Sequence, residues 1–542
     1  MEFNLAQIFA AVAAANPDRD CIVFGDRRFT FAQTDERARR FAWALHTWGL
    51  GAHRERSELA PHESGQSHLG LYMANCNEFL EGMLGAYKAR VAPFNVNYRY
   101  VADELVYLLG NSRADALMYH ARFAPTLAEA LQHLPPMRLI HVDDGSGLEP
   151  LPGAVRYEEL LASTSDEPLD LELSPDDLYV LYTGGTTGMP KAVLWRQNDI
   201  YMNTMGGRMT GEPVGSLEEI VERSLPPGPG SMTVAPLMHG AAQWAAFMSL
   251  LSGRPFVMPA TTTHFDPAEA LALASRERVL SMSMVGDAFG RPILDELASG
   301  DYDLSGLFVL VTGGAALTAP LKERFVELLP HLTILDAGGS SESGAQMVQA
   351  SSRAQNVSGR FAPNPGAVVV SEDMTRVLSP GDDEIGWLAQ QAPIPLGYLG
   401  DAEKTARTFP VIDGVRHSVP GDRARWDADG QIELLGRDSV TINSGGEKIF
   451  AEEVEAAIAE HPAVYDVVVT GRPSEKWGSE VVAIVQLADG QQADAESIIA
   501  EAARHIARYK LPKGIVFRDR VQRSPSGKAD YRWAKAQATE GL

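Results

Sequence analysis

The sequence predicts an α/β fold, with a large N-terminal domain of mostly parallel sheets flanked by helices and a small α+β C-terminal domain. Strand-like and helix-like stretches alternate from residue 139 to residue 335, a pattern typical of parallel sheets covered by helices. Glycine-rich turns such as Gly184-Gly185, Gly313-Gly314 and Gly338-Gly339 are expected at the carboxyl ends of predicted strands, where open sheets bind ligands. From Gly436 onward the pattern changes, which indicates a second, smaller unit.

The composition is that of a globular protein with more than one hydrophobic core. The 542 residues are 45% hydrophobic and 22% charged, and the formal net charge is −24. So acidic a chain disfavours non-specific binding to nucleic acid, whereas its basic tail, residues 504–535, offers local positive charge to an anionic ligand. Cys21 and Cys76 lie in no metal-binding spacing, so we expect a reduced, cytoplasmic protein.

The chain is predicted to begin with a helix over residues 4–15. Its apolar run contains Ala-x-Ala, as a signal peptide does, but no positive charge precedes the run and Asn16-Pro17 ends it. A hairpin around Gly25-Asp26 and a helix over residues 34–45 follow. Residues 53–68 are polar and aperiodic, which predicts a surface loop with three solvated histidines. No apolar run reaches the length of a membrane span.

The remaining elements follow from hydrophobic periodicity. The predicted strands cover residues 69–73, 232–235, 256–258, 307–312, 332–336, 464–470 and 481–487. The predicted helices cover residues 78–88, 267–276, 320–329, 454–460 and 495–508, and residues 216–231 are predicted to form a helix followed by a Pro/Gly loop.

The stretch LYVLYTGGTTGMPK, residues 178–191, carries the strongest functional signal. Residues 178–182 are apolar and β-prone, so a buried strand leads into a loop of glycines and threonines. Such a loop lets backbone and hydroxyl donors approach phosphate oxygens closely. The predicted polyphosphate-binding residues are Thr183, Gly184, Gly185, Thr186, Thr187, Gly188 and Lys191. The stretch is not a Walker A loop, because Met189 and Pro190 separate Gly188 from Lys191.

YTGGTTGMPK resembles the signature loop of the adenylate-forming, or AMP-binding, enzymes, which include acyl-CoA synthetases, luciferases and the adenylation domains of peptide synthetases. The resemblance extends over nearly the whole chain, since later motifs follow in the expected order. It implies ATP, CoA and Mg²⁺ as cofactors. It also implies an adenylation domain, residues 1–437, and a mobile C-terminal domain, residues 438–542, that turns between two half-reactions.

A second motif, DAGGSSE, follows the predicted strand 332–336. A serine can bind the α-phosphate and a carboxylate can hold Mg²⁺ with the phosphates, so Ser341 and Glu342 are predicted to act in catalysis, with Glu342 as the metal ligand. The predicted nucleotide-binding residues here are Asp336, Ala337, Gly338, Gly339 and Ser340, and the resemblance places Gly314 and Ala315 against the adenine. Gly338 stands where the family carries a tyrosine, which predicts open space for the acyl substrate.

The segment APLMHG, residues 235–240, resembles the family's wall between the nucleotide and acyl sites. We therefore expect His239 and Gly240 to line the substrate pocket, with His239 as neither acid nor base. No Asp or Glu occurs in residues 237–251, so the ammonium group of an amino acid would have no partner. Gly240, Ala241 and Ala242 instead indicate a smooth apolar slot.

Two motifs near the predicted domain boundary resemble the ribose site and the hinge. A carboxylate can accept both ribose hydroxyls, and the resemblance assigns that role to Asp422, with Arg437 assisting it. The hinge position falls on Ser439, where the family commonly has Asp or Lys.

The last two motifs belong to the small domain. By resemblance, Gly446 of SGGEKI lines the pantetheine tunnel and Lys448 faces phosphate. SPSGK matches the motif that carries the family's catalytic lysine, which is Lys528 here. Ser-Pro and Ser-Gly favour a tight turn that projects this side chain.

The combined motifs predict an ATP-dependent acyl-CoA ligase. It would activate a large apolar acid, because Gly338, Gly240, Ala241 and Ala242 remove bulk where the family often carries it. The motifs look closest to actinobacterial ligases of fatty acids and steroid side-chain acids, which implies a long-chain fatty acid or a steroid side-chain acid as substrate. Its partners are then a small-molecule carboxylic acid, ATP and CoA, with no nucleic acid and no transmembrane segment. A ligase that loads a carrier protein, a non-catalytic nucleotide-binding regulator and a homodimeric assembly stay open as alternatives.

Overall fold

The computed structural model describes residues 1–183, 189–209, 211–354, 359–444, 447–474, 477–524 and 527–540. Within these ranges the strands are β1 (Asp20–Phe24), β2 (Arg27–Thr30), β3 (His68–Tyr72), β4 (Ala92–Asn95), β5 (Ala116–His120), β6 (Arg138–Val142), β7 (Val155–Arg156), β8 (Leu178–Thr183), β9 (Lys191–Arg196), β10 (Ser231–Thr233), β11 (Phe256–Met258), β12 (Ser281–Met284), β13 (Val309–Gly313), β14 (Thr333–Ser340), β15 (Gly344–Ser351), β16 (Arg360–Pro363), β17 (Ala367–Val370), β18 (Gly386–Gln390), β19 (Gly397–Tyr398), β20 (Val411–Ile412), β21 (Val415–Arg416), β22 (Asp422–Trp426), β23 (Ile432–Arg437), β24 (Ile442–Ser444), β25 (Glu447–Ile449), β26 (Val464–Ser474), β27 (Gly478–Leu487) and β28 (Gly514–Phe517).

The α-helices of the same ranges alternate with these strands. They are α1 (Leu5–Ala15), α2 (Phe31–Thr47), α3 (Asn77–Lys88), α4 (Ala102–Ser112), α5 (Ala124–Ala130), α6 (Tyr157–Ala162), α7 (Gln197–Thr204), α8 (Leu217–Ser224), α9 (Gly240–Leu251), α10 (Pro267–Glu277), α11 (Gly286–Ser299), α12 (Ala319–Leu328), α13 (Ala402–Thr408), α14 (Ala451–Ala459), α15 (Ala495–Ala502) and α16 (Tyr531–Glu540). No helix within the described ranges is long and apolar enough to cross a membrane.

The larger sheet joins a parallel half to an antiparallel half. Within the described residues it is 13-stranded, in the order β17-β18-β22-β23-β16-β15-β14-β13-β12-β10-β11-β1-β2. Strands β1, β11, β10, β12, β13 and β14 pair in parallel, and α9, α10, α11 and α12 make the crossovers that parallel pairing requires. Beyond β14 the pairing is antiparallel. The sequence predicted the parallel half, because alternation with helices reveals it.

A second sheet carries the strand of the predicted phosphate loop. Its order across the described chain is β19-β9-β8-β4-β3-β5-β6-β7, parallel from β8 to β7 and antiparallel through β9 to β19. All residues of β3 to β5 are buried, as expected for strands covered on both faces. The α/β fold class predicted from the sequence is confirmed.

The C-terminal part of the chain has its own core. Strands β26, β27 and β28 form a small sheet covered by α14, α15 and α16. Val467, Val469 and Val485 pack with Ile458 and Ile498 on one face of this sheet. The residues of this core lie from Ile442 onward, so the small unit buries apolar surface of its own.

The N-terminal helix prediction is correct. Asn4 caps α1, because its side-chain oxygen accepts a hydrogen bond from the Ala6 N–H (2.9 Å). Ile8, Phe9 and Val12 are buried on one face of the helix. The segment is therefore part of the folded core.

Three predictions of local structure are wrong. His68 is not solvated in a loop; it begins β3, is buried, and hydrogen-bonds through Nε2 to Ser64 Oγ (2.7 Å). Gly338 and Gly339 do not form a turn after a strand, because β14 continues through them and pairs antiparallel with β15. The helix predicted over 495–508 ends at Ala502.

Candidate active site

The predicted phosphate loop joins two adjacent strands. Thr183 at the end of β8 pairs with Lys191 at the start of β9, in an antiparallel ladder. Lys191 thus starts a strand rather than a phosphate-binding helix. The loop residues Gly184, Gly185, Thr186, Thr187 and Gly188 lie outside the described residues.

The turn after β14 holds the predicted catalytic pair Ser341 and Glu342. The Ser341 carbonyl accepts a hydrogen bond from Trp195 Nε1 (2.9 Å), and Glu342 N–H donates to Ser340 Oγ (3.2 Å). Glu342 Oε1 accepts from the hydroxyl of Tyr398 (2.8 Å). Burial, reinforced by the Glu342 charge, raises the pKa of Tyr398 well above its ordinary value, so this phenol stays neutral and donates.

Two lysines lie close to this turn. Lys404 Nζ is 4.7 Å from the centroid of the Tyr398 ring, and Lys191 Nζ is 5.9 Å from the same centroid. Lys191 Nζ also lies 4.0 Å from Asp401 Oδ2. Partial burial and the neighbouring Lys191 lower the pKa of Lys404 to about 8, against the opposing effect of Glu342. Positive charge is therefore concentrated beside Glu342.

Asp336 has a different environment from the one its motif predicts. Its Oδ2 forms a buried ion pair with Lys322 Nζ at 2.5 Å, and burial raises the pKa of this carboxyl group despite the lysine. A carboxylate engaged in this way joins β14 to α12. The Asp336 carboxylate is engaged by Lys322, so the following residues, 337–340, stay the candidates of this segment for nucleotide binding.

The open space predicted at Gly338 is filled. A β-carbon placed on Gly338 would lie 2.5 Å from Met347 Cε and 2.8 Å from Met347 Cγ. Met347 pairs with Gly338 across β14 and β15, and its side chain is buried. The missing tyrosine is therefore compensated by a methionine from the antiparallel neighbour strand.

The predicted acyl wall is apolar but closely packed. A β-carbon on Gly240 would lie 2.6 Å from Leu181 and 2.9 Å from Trp244, while Ala241 is exposed. The smooth slot expected here is thus occupied by neighbouring side chains. His239 precedes α9, and burial together with the Lys528 charge lowers its pKa to about 3, so the imidazole is neutral at ordinary pH.

Asp422 and Arg437 come together as predicted. They are partners across β22 and β23, and Arg437 Nε donates to Asp422 Oδ1 (3.2 Å). The Asp422 carboxylate raises the pKa of Arg437. Ser439 lies directly after, in the 3₁₀ turn Asp438–Val440. Gly446 and the side chain of Lys448 lie outside the described residues.

Lys528 extends from the small domain onto the large one. A β-carbon on Gly314 would lie 3.3 Å from Lys528 Cε and 3.9 Å from Nζ, so the lysine packs directly over Gly314. Gly314 follows β13 with φ +79°, and Ala315 next to it packs on the core. Lys528 remains solvent-accessible in this cleft, but the surrounding protein removes hydration, which together with the Arg437 charge lowers its pKa.

Hydrogen bonds hold the described residues on either side of the Lys528 turn, Arg523, Ser524, Gly527 and Lys528. Ser524 N–H donates to the Lys528 carbonyl (2.7 Å), and Arg523 holds the turn by donating to Asp466 Oδ2 (2.8 Å) and to the Gly527 carbonyl (3.3 Å). A β-carbon on Gly527 would lie 3.1 Å from Ala288 of α11, and the φ of Gly527 is +77°, so this position favours glycine.

A second contact joins the domains on the same helix. The Arg291 guanidinium lies 4.9 Å from the ring centroid of Tyr465. It is also held by Asp287 Oδ2 (3.3 Å), whose Oδ1 accepts from the Thr318 N–H (2.8 Å). Helix α11 is therefore the surface on which the small domain rests.

Sequence reasoning missed several residues of this site. Tyr398 and Lys404 belong to no motif that we interpreted. Asn95 is a third: it donates to the carbonyls of Tyr182 (2.9 Å) and Met238 (2.6 Å) and so joins the phosphate strand to the acyl wall. A polar residue that ends the apolar strand β4 was the available signal.

Comparison with known proteins identifies the family. A family model described as AMP-binding enzyme matches residues 9–390, and one described as AMP-binding enzyme C-terminal domain matches residues 453–528. The chain therefore belongs to the AMP-binding enzyme family, as its motifs predicted.

Two curated relatives resemble the chain over nearly its whole length. It is 56% identical over 544 residues to a medium-chain acyl-CoA ligase of Mycobacterium avium, covering 99% of both chains. It is 38% identical over 555 residues to a 3-oxocholest-4-en-26-oate–CoA ligase of Rhodococcus rhodochrous, covering 99% of this chain and 96% of the relative.

A solved structure shares the fold. An anthranilate CoA ligase in complex with anthranoyl-AMP superimposes with a TM-score of 0.82, at 20% identity, covering 100% of this chain and 98% of that one. At this identity the likeness establishes the architecture of both domains.

Proposed function

We propose that this chain, an AMP-forming acyl-CoA synthetase, activates an apolar carboxylic acid with ATP and transfers the acyl group to CoA. In the first half-reaction an oxygen of the carboxylate bonds to the α-phosphorus and pyrophosphate leaves with the bridging oxygen. In the second, the CoA sulfur bonds to the acyl carbon, AMP leaves, and the thiol proton passes to solvent. Positioning and charge neutralisation account for most of such catalysis.

The observation that supports this proposal most directly is the position of Lys528. Its side chain packs over Gly314, and the charges of Glu342, Asp422 and Arg437 all act on it. A cation placed there can stabilise the negative charge that develops between the carboxylate and the α-phosphate. In this scheme Asp422 binds the ribose hydroxyls, Arg437 orients Asp422, and residues 314–315 and 337–340 face the nucleotide.

Glu342 suits a magnesium ion that is bound together with ATP. Mg²⁺ at nucleotide sites takes one or two carboxylates and obtains its other ligands from phosphates and water. Within the described ranges, no three His, Cys, Asp or Glu side chains gather into a protein-only metal site. When bound, the ion would neutralise charge on the phosphates, while Tyr398 orients the Glu342 carboxylate.

The second half-reaction is assigned to a turned arrangement of the small domain. We propose residues 1–437 and 438–542 as the two bodies and Ser439 as the pivot, because β23 ends at Arg437 and the core of the small domain begins with Ile442. Turning would withdraw Lys528 and bring Gly446 and Lys448 toward the CoA site.

The acyl substrate is proposed to be a fatty acid of medium chain length. Leu181 and Trp244 fill the space beside Gly240, and Met347 fills the space beside Gly338, so neither glycine leaves the room that a steroid would need. This choice revises the larger acid expected from the small residues Gly338, Gly240, Ala241 and Ala242. The medium-chain and steroid-acid ligases among the relatives support an apolar acid in either case.

The test is AMP release and acyl-CoA formation with a panel of medium-chain, long-chain and steroid side-chain acids, with and without CoA. We expect the highest kcat/KM for medium-chain acids and thioester formation that requires CoA. Acyl-AMP that accumulates without reacting with CoA would indicate a carrier protein as acceptor. No ATP–pyrophosphate exchange with any acid would refute the enzymatic function.

A further inference from the structure

Lys404 is fixed beside the catalytic turn by the structure around it. It lies in the first turn of α13, where its N–H donates to Asp401 Oδ1 (2.9 Å). Helix α13 begins four residues after Tyr398, and the Lys404 ammonium group lies over the ring of that tyrosine at 4.7 Å. The same tyrosine donates its hydroxyl to Glu342. Lys404 and Glu342 therefore share one anchoring side chain.

Lys191 approaches the same ring from another strand. Strand β9 pairs with β19 through Val193 and Tyr398, which sets Lys191 Nζ at 5.9 Å from the ring centroid. Two ammonium groups from separate elements thus converge on one aromatic ring. Lys191 is the lysine that ends the predicted phosphate loop, so Lys404 stands next to a group already assigned to phosphate.

The local charge favours an anionic ligand. Lys191, Lys404 and Arg407 are the cations that act on this point, and Glu342 and Asp401 are the carboxylates that face them; Tyr398 is neutral. Like charges held together repel one another, and burial makes this repulsion stronger. A ligand with several negative charges would relieve the repulsion, whereas a neutral or singly charged ligand would relieve little of it.

We propose that Lys404 binds the terminal phosphates of ATP together with Lys191, and keeps hold of the pyrophosphate as it leaves. This inference rests on the adenylation reaction proposed above. As the carboxylate oxygen bonds to the α-phosphorus, the bond to the bridging oxygen breaks and its electron pair stays with pyrophosphate. Lys404 and Lys191 lie where they can neutralise that charge, while Lys528 acts on the carboxylate side.

The experiment measures binding of inorganic pyrophosphate, Mg·ATP and AMP, each without acid, to the full-length enzyme by calorimetry. Lys404→Gln should weaken pyrophosphate and Mg·ATP about tenfold or more, the usual loss for a hydrogen bond to a charged group, and leave AMP unchanged. Lys404→Arg should keep most of the affinity. Arg278→Gln, which removes an exposed charge elsewhere in the large domain, is the control and should behave as wild type.

The proposal is overturned if Lys404→Gln binds pyrophosphate as tightly as wild type. It is also overturned if AMP and pyrophosphate weaken together, because Lys404 would then only support Tyr398. A measurement on the wild type needs no variant: pyrophosphate, but not AMP, should protect Lys404 from acylation by a lysine-directed reagent, as read by peptide mass spectrometry. Equal protection by both ligands would contradict the proposal.

These experiments distinguish failure of the Lys404 proposal from failure of the proposed ligase function. If the enzyme forms acyl-CoA but its affinity for pyrophosphate does not depend on Lys404, the role of Lys404 is refuted and the ligase reaction is not. An enzyme that binds pyrophosphate through Lys404 but activates no acid refutes the reaction and leaves the binding site standing.

Discussion

Lys528 and the pair of Lys191 and Lys404 bring positive charge to the same site by different means. Lys191 and Lys404 both belong to the large domain and are anchored around the ring of Tyr398. Lys528 belongs to the small domain, and it reaches the site because a tight turn packs over Gly314 and Ala288. In the turned arrangement that we propose, the Lys528 charge leaves the site, whereas the charges of Lys191 and Lys404 stay. We therefore assign Lys191 and Lys404, the fixed charges, to phosphate binding, and Lys528, the movable charge, to the first chemical step.

The largest effect is expected from removing the movable charge. Lys528→Ala should slow formation of the acyl adenylate from ATP and acid by about 10²–10³, as for loss of a preorganised transition-state donor. ATP binding should weaken far less, since the contact is made mainly in the transition state. Single-turnover kinetics measure the step, and Lys513→Ala, an exposed lysine of the same domain, is the control. A loss confined to ATP affinity would place Lys528 with the fixed charges.

The next effect is expected from preventing the movement itself. Ser439→Pro would fix a backbone torsion that must change if the small domain turns here. Adenylate formation should persist and thioester formation should fall, with Ser439→Ala as the control. Persistence of both half-reactions at wild-type rates would move the pivot to another residue.

The sequence predicted best those features that depend on residues close to one another in the chain. The alternation of strands and helices predicted the parallel sheets. Short motifs made Glu342, Asp422 and Lys528 candidates for one site, because each motif lies on one turn or one hairpin. The last residues of β14 form a strand because they pair with β15. The sequence of β14 alone does not show this pairing, so Gly338 and Gly339 were wrongly predicted to form a turn.

The rest of the site is tertiary in origin. Met347 fills the space at Gly338 from the neighbouring strand, and Lys404 reaches Glu342 by way of Tyr398. Neither contact could be recognised from the sequence, because no periodicity or motif in the segment around Met347 or Lys404 indicates it. The prediction that His68 is solvated was wrong for a similar reason. Its burial depends on hydrogen bonds with Ser64 and Ser112, which the polar sequence around it does not indicate.

A smaller effect on the fixed domain tests the packing at Gly338. Gly338→Trp should lower the free energy of unfolding by about 1–3 kcal/mol, because the indole must displace Met347. Adding Met347→Ala, with Met347→Ala alone as the control, should recover part of that loss. Denaturant unfolding measures the free energy of unfolding of each variant. Unchanged stability together with selective loss of long acids would instead indicate open space at Gly338.

The smallest effect concerns the contact that docks the movable domain. Tyr465→Leu removes the aromatic face under Arg291 and should weaken docking by about 0.5–1 kcal/mol, so adenylation slows a few-fold. Tyr465→Phe keeps that face and should keep the rate. If Phe and Leu behave alike, the interaction of Arg291 with the ring does not set the position of Lys528.

The central claim is that Lys528 serves the first half-reaction alone. Its most direct test supplies chemically made acyl adenylate and CoA to Lys528→Ala and measures the single-turnover rate of acyl-CoA formation. We expect a rate close to wild type, because in the proposed turned arrangement Lys528 has left the site when the thiol attacks. A rate reduced as much as that from ATP and acid would show that Lys528 acts in both steps, and would contradict the division between movable and fixed charge.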